Sequence, residues 1–174
     1  MKQILLLRHA KSAWDDSRLA DHDRPLSRRG EKAAKAVADH IASAGVRPDL
    51  ILCSTATRTR QTLGALIQRL DAPAPPISLE KGLYLASAET LLERLRSLPD
   101  EVGSVLLIGH NDGLGYLAEA LVGHGDPTTV AALRSKYPTG ALANLRAPIE
   151  RWSDLALGSA ELIEFVRPRE LANA

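Results

Sequence analysis

The sequence predicts an α/β fold: a three-layer sandwich in which a mostly parallel central sheet is flanked by helices. Three observations predict it. Short runs that are apolar almost throughout, Ile4–Leu7, Leu50–Cys53 and Ser104–Ile108, have the length of buried strands. Each is followed by a segment with helical periodicity, and this strand-then-helix alternation holds from residue 1 to about residue 123. The 174 residues suffice for one domain with a sizeable core, so 1–174 is read as a single domain.

The first strand, Ile4 to Leu7, is followed at once by Arg8 and His9. In parallel α/β sheets the strand ends open onto the ligand crevice. A histidine there serves as base, nucleophile or metal ligand, or only bonds its own loop. Lys11 to Leu26 is a long polar loop with Trp14, Asp21, His22, Asp23 and Arg24, and loops of that length without regular structure are usually functional. Ser27 is the expected N-cap of a helix running to about Ala44, with Gly45 as its stop and Ala34, Val37, Ala38 and Ile41 on its apolar face.

Pro48 and Asp49 form a turn into the strand Leu50–Cys53. Ser54 or Thr55 is expected to cap a helix reaching about Leu70, with Leu63, Leu66 and Ile67 turned to the core and Arg58 in its first turn. Gln61 and Thr62 share the Arg58 face and are read as packing residues. Ile77–Leu79 is a candidate edge strand, and Glu80–Leu85 a loop containing Tyr84. Ser87 caps a third helix through Leu91, Leu92, Leu95 and Leu98. The strand Ser104–Ile108 ends in Gly109, His110, Asn111 and Asp112, and a helix follows from Gly113 to Val122 with Gly123 as its stop. His124–Pro138 carries little signal beyond a possible short helix, Pro127–Leu133. Ala141–Arg146 and Glu161–Val166 alternate weakly and read as two more strands, joined by a connector with Trp152.

Lys plus Arg number 22 and Asp plus Glu 21, a net charge of +1, so no basic excess marks a nucleic-acid partner. No apolar stretch is long enough to cross a bilayer. The N-terminal run is too short for a signal-peptide core, and a cytoplasmic, monomeric protein is expected. The single cysteine, Cys53, ends a strand and reads as a small buried residue rather than a reactive thiol. The other histidines, His22, His40 and His124, have no recognised metal-ligand spacing, and no metal or other cofactor is expected.

Two strands therefore end in histidines. If both are central and parallel, His9 and His110 emerge at one edge of the sheet, beside the helix N-terminus that carries Arg58. Two arginines, two histidines and a helix N-terminus around one crevice describe a site for a phosphoryl group.

The segment LLLRHAKS resembles the Arg-His motif of the histidine phosphatase superfamily, the phosphoglycerate-mutase-like fold. Ser54–Thr62, S-T-A-T-R-T-R-Q-T, resembles that family's block S-x-x-x-R-A-x-Q-T, departing only at Thr59. Arg24, Pro25, Leu26, Ser27 and Gly30 resemble its entry to the first helix, and Ile108–Asn111 its second-histidine block. The ending, with Tyr137, Pro138, Thr139, Trp152, Phe165, Arg167 and Pro168, is similar to the small SixA-like branch.

The resemblance implies that His9 is the nucleophile and forms a phosphohistidine. It implies that Arg8 and Arg58 bind the phosphoryl oxygens, and that His110 hydrogen-bonds one of them. The remaining substrate-binding candidates are weaker. Arg24 either reaches the phosphate or pairs with Asp21 or Asp23; Ser12 and Asn111 donate to substrate or serve their own backbone. Larger family members use a carboxylic acid to protonate the leaving oxygen, and Glu80 has the wrong surroundings for that motif. Whether Asp21, Asp23 or Glu80 serves as an acid stays open. A phosphoramidate can be protonated on its leaving imidazole before the bond breaks, so a missing acid favours phosphohistidine in a protein as substrate. Little sequence is left for a lid, which suits a protein substrate. The alternatives are a broad phosphatase of small phosphorylated metabolites and a phosphoryl-binding module without catalysis.

Overall fold

The computed structural model describes residues 1–171. One seven-stranded sheet runs through it: β1 (Lys2–Arg8), β2 (Leu50–Ser54), β3 (Ile77–Glu80), β4 (Ser104–Gly109), β5 (Val122–Gly125), β6 (Leu142–Ala147) and β7 (Ala160–Val166). Their spatial order is β3-β2-β4-β1-β6-β7-β5. The β1·β4, β2·β4, β2·β3 and β5·β7 pairs are parallel; β6 is antiparallel to both β1 and β7.

The helices are α1 (Arg28–Ser43), α2 (Thr57–Ile67), α3 (Ala88–Arg96), α4 (Gly113–Leu121), α5 (Pro127–Ser135) and the short α6 (Pro168–Leu171). The central strands alternate between two cores, because successive side chains leave a strand on opposite faces. Ile4, Leu6, Leu52 and Leu107 pack with Leu91 and Leu95 of α3, Leu114 and Leu117 of α4, and Leu133 of α5. Leu5, Leu7, Ile51, Cys53, Leu106 and Ile108 pack with Val37 and Ile41 of α1 and Leu63 and Leu66 of α2. Both faces are covered, which is why these runs are apolar at every position rather than at every second one. Ser27 and Ser87 cap α1 and α3 as expected, accepting from Gly30 N and Thr90 N.

Three expectations are corrected. The cap of α2 is Ala56, with no side-chain cap bond, and Ser54 is instead the last residue of β2, because its hydroxyl is used elsewhere. The Lys11–Leu26 loop is not wholly irregular: Asp21–Asp23 form one 3-10 turn, and Ser12 bridges to Leu26. Gly123 does not stop a helix but lies in edge strand β5, which the sequence reading missed; a Cβ there would sit 2.2 Å from the Gly158 carbonyl, so the close approach of the next turn demands glycine. The Trp152 connector contains a 3-10 turn as well, Trp152–Asp154, with the indole fully buried and donating to the Val102 carbonyl at 2.7 Å.

Candidate active site

Parallel pairing of β1 with β4 sets Arg8 opposite Gly109, so the chain leaves the two strands as His9 and His110, side by side. His9 N–H donates to the Gly109 carbonyl at 3.1 Å, and the imidazole centroids are 5.3 Å apart. The loop before β6 closes one flank: Gly140 N–H reaches the Arg8 and His9 carbonyls at 3.1 and 2.9 Å, and Arg8 Nη1 donates to the Tyr137 carbonyl at 2.9 Å.

The loop after His9 is held by α1 and α2. Ala10 N–H donates to Thr62 Oγ1 at 3.1 Å, and Leu26 N–H to Gln61 Oε1 at 2.7 Å. Gly30 lets the first turn of α1 press on the same loop, since a Cβ there would lie 2.0 Å from the Lys11 carbonyl. Thr59, where the family block carries alanine, is buried and bonds the Ser54 and Ala56 carbonyls at 2.8 Å each, tying β2 to the start of α2.

His9 Nδ1 lies 2.7 Å from the Ala10 carbonyl. A carbonyl only accepts, so Nδ1 carries the proton and the Nε2 lone pair is left for an electrophile. Burial lowers the His9 pKa to about 4; the Ala10 bond opposes this, and the charges of Arg58, Arg8 and Arg24 reinforce it. Burial likewise lowers His110 to about 3, with His9 and Arg58 adding to the effect. Both rings are therefore neutral at pH 7. Arg58 Nε–H donates to His9 Nε2 at 3.4 Å, a long and therefore weak hydrogen bond.

Asp21, on the 3-10 turn, ties the cations together. Its Oδ1 accepts from Arg24 Nε and Nη2 at 3.2 and 2.7 Å; its Oδ2 accepts from Arg58 Nη2 at 3.0 Å and from the Tyr84 hydroxyl. Partial burial would raise its pKa, but bonds from Tyr84, Arg24 and Arg58 outweigh that and hold it well below the usual carboxylate range. The Tyr84 ring lies edge-on to His110 at 5.3 Å and to His22 at 4.8 Å, while His22 Nε2 pairs with Thr55 Oγ1 at 2.9 Å. Arg24 is sandwiched between Asp21 and the ring of Trp14, 3.3 Å from its centroid.

These groups surround a pocket of about 280 Å³ whose lining includes Arg8, His9, Lys11, Arg24, Arg58 and His110. Ser12, Trp14, Leu85, Asn111 and Thr139 complete it, so no carboxylate lines it. Among the described residues, Arg8 Nε, Arg24 Nη1 and His110 Nδ1 are buried without a hydrogen-bond partner, and the side chains that carry them all line this pocket. Buried polar atoms without partners are costly, and two of these three are guanidinium N–H donors, so the pocket is suited to an anion. A larger cleft of about 650 Å³ lies between β5 and α5 beside His124 and Arg134, but none of the three unpaired atoms belongs to its walls.

The residues expected from the sequence divide as follows. Arg8, His9, Arg58, His110, Arg24 and Ser12 meet in the pocket. Of the two alternatives weighed for Arg24, the structure shows the pairing with Asp21, and its Nη1 is buried without a hydrogen-bond partner among the described residues. Asn111 lines the pocket, but its amide serves the backbone, donating to the Tyr137 carbonyl and accepting from Gly115 N–H. Of the open acids, Asp23 is exposed beside His22, and Glu80 is clamped by Arg94 through two 2.8 Å bonds. His40 sits apart, paired with Glu164 at 2.9 Å. The sequence reading weighed Asp21 as a partner of Arg24 or an acid but not as a bridge to Arg58, weighed Ser54 only as a cap, and gave no role to Tyr84 or Trp14. Among the described residues, no three His, Cys, Asp or Glu side chains are grouped to hold a metal ion, and no helix is long and apolar enough to cross a membrane.

Comparison with known proteins agrees with this geometry. The model of the histidine phosphatase superfamily, branch 1, matches residues 4–84. An uncharacterised protein of Mycobacterium tuberculosis is 37% identical over 165 residues, covering 94% of this chain and 100% of the relative. A candidate phosphohistidine phosphatase, SixA from Agrobacterium tumefaciens, superposes with a TM-score of 0.81 at 36% identity, over 96% of this chain and 98% of that one. A second, from Nakamurella multipartitia, gives 0.81 at 29% identity, over 96% of each chain. The order of the motifs, the paired histidines at adjacent strand ends and these likenesses place the chain in the histidine phosphatase superfamily, in its SixA-like branch.

Proposed function

We propose that this protein is a metal-independent phosphatase that works through a phosphohistidine on His9 and removes the phosphoryl group from phosphohistidine in a protein. The observation that carries the substrate class is the pocket's composition: four cations and two imidazoles line it, and no carboxylate does. Asp21, whose carboxylate pairs with two of the lining arginines, is held ionised by them and cannot give up a proton it does not carry. Such a site is suited to a leaving group that arrives already protonated, which an imidazole does and an alkoxide does not.

In the first step His9 Nε2 attacks phosphorus in line while the bond from phosphorus to the substrate's imidazole nitrogen breaks. The protonated substrate ring leaves as neutral imidazole. In the second step water attacks the same phosphorus, the His9–phosphorus bond breaks and inorganic phosphate is released. Arg8, Arg24 and Arg58 offset the charge on the phosphoryl oxygens, and His110 donates to one of them.

The test is direct. Wild type and His9→Ala are compared in EDTA on a chromogenic phosphate ester, a sugar phosphate and phosphorylated carrier and relay proteins. Activity that survives chelation, vanishes in the variant and is greatest on a phosphohistidine protein is expected. A strong preference for the sugar phosphate would replace the substrate class with small metabolites. Loss of activity on chelation would point to a metal mechanism. Binding of phosphate without turnover would leave a phosphoryl-binding module.

A further inference from the structure

Ser54 heads the arginine block and is, with Thr55, one of two caps the sequence offers for α2, yet no side chain caps that helix. It is fully buried at the C-terminal end of β2, and its Oγ lies 2.8 Å from His110 Nε2. That bond can run either way, and counting protons decides the direction. Ala56 N–H donates to Ser54 Oγ at 3.3 Å, so one lone pair of the hydroxyl is used and its own proton still needs an acceptor. Among the described residues, His110 Nε2 is the one group bonded to this hydroxyl that can accept it.

With the hydroxyl donating, His110 carries its proton on Nδ1, the buried atom that has no hydrogen-bond partner among the described residues, on a ring that lines the pocket. A phosphoryl oxygen would complete it. With the bond reversed, the serine proton is stranded in the interior and a lone pair on Nδ1 faces the anion. The first arrangement leaves one buried group unpaired until substrate arrives; the second leaves two and repels the substrate. The Tyr84 and His9 rings pack against the same imidazole but offer no bond to it that would settle the tautomer.

We propose that Ser54 is a positioning residue: by donating to His110 Nε2 it holds that imidazole as the neutral Nδ1–H tautomer, so that a neutral N–H donor faces the phosphoryl oxygen. The inference rests on the phosphatase reading of the pocket for its purpose, but not for its geometry. It extends the second-histidine role to a residue of the preceding strand, in the way that partners of a functional histidine commonly fix its tautomer.

The tautomer is read from two-bond proton–nitrogen correlation spectra of ¹⁵N-histidine-labelled wild type, with His110→Gln to assign the ring. A neutral ring protonated at Nδ1 is expected; protonation at Nε2 overturns the proposal, with no variant needed. In Ser54→Ala, kcat on the chromogenic ester should fall by roughly 10- to 100-fold, the His110 signals should show mixed tautomers, and Ser54→Thr, which keeps the hydroxyl, should restore both. Full activity in Ser54→Ala, or lost activity with the Nδ1–H tautomer intact, overturns the positioning role. Wild type that turns over no phosphorylated substrate would end the phosphatase reading, while the spectra would still report the tautomer.

Discussion

Asp21 grips Arg58 twice: Arg58 Nη2 donates to its carboxylate at 3.0 Å and Arg58 Nη1 to its backbone carbonyl at 2.7 Å. The same carboxylate holds Arg24, so one acidic side chain fixes the orientation of two guanidinium groups that line the pocket. Its role is to orient the cations. Asp21→Asn should lower kcat/KM by about 100-fold through misplaced arginines, on esters and phosphoramidates alike. A loss confined to esters, with phosphohistidine turnover intact, would mark Asp21 as an acid instead.

Among the described residues, Arg24 Nη1 and Arg8 Nε are buried guanidinium atoms without a hydrogen-bond partner. Each hydrogen bond to a charged group is worth about 1.5–3 kcal/mol. Arg24→Ala should therefore weaken competitive inhibition by inorganic phosphate about 10- to 100-fold. Arg58→Lys, which keeps the charge but loses the planar fork, should cost about 10²–10³ in kcat. Inhibition constants unchanged in Arg24→Ala would take that residue out of the binding site.

Acidification should destabilise the protein over a defined range. His9 and His110 titrate at about 4 and about 3 in the folded chain, below the ordinary value of 6.5. Between those values the unfolded chain binds more protons than the folded one, so stability is fully present above about 6.5 and is lost as pH falls toward about 4 and below. Thermal melts of wild type should drop through this window, and His110→Gln should drop less steeply. Equal slopes would show that His110 is not buried neutral. For catalysis, His9 should stay an active nucleophile down to about pH 4, so no acid limb near 6.5 should be assignable to it.

A methyl group on Gly30 would collide with the Lys11 carbonyl, 2.0 Å from an ideal Cβ. Lys11 follows His9 by two residues, so relief of the clash moves the loop that carries the Ala10 carbonyl. Gly30→Ala should cost about 1–3 kcal/mol of stability, measured by denaturant unfolding, and should lower kcat as well. A variant as active and as stable as wild type would show that the contact is not rigid.

Much of the fold was legible before any coordinates. Ile4–Leu7, Leu50–Cys53 and Ser104–Ile108 lie within central strands buried on both faces, and Ser27 and Ser87 cap their helices. Those features are local: an uninterrupted apolar run or a serine before an amphipathic stretch specifies its own structure. Strand β5 was missed because Val122–Gly125 holds two glycines and one histidine and pairs only with β7, far along the chain. Its identity as a strand lies in its partner rather than in its own residues.

The same division runs through the site. Sequence alone singled out Arg8, His9, Arg58 and His110, because charged and imidazole side chains at the ends of apolar runs have nowhere to go but a crevice. It left undecided what Arg24 does, where Ser54 points and whether Asp21 is an acid, since Arg24 is placed by the folding of its own loop onto Asp21 and Trp14, and the other two answers depend on Arg58 and His110, more than thirty residues away. Only packing brought Arg58 onto Asp21 and the Ser54 hydroxyl onto His110. Chain chemistry nominates the groups; burial and proton counting assign their charge states and their work.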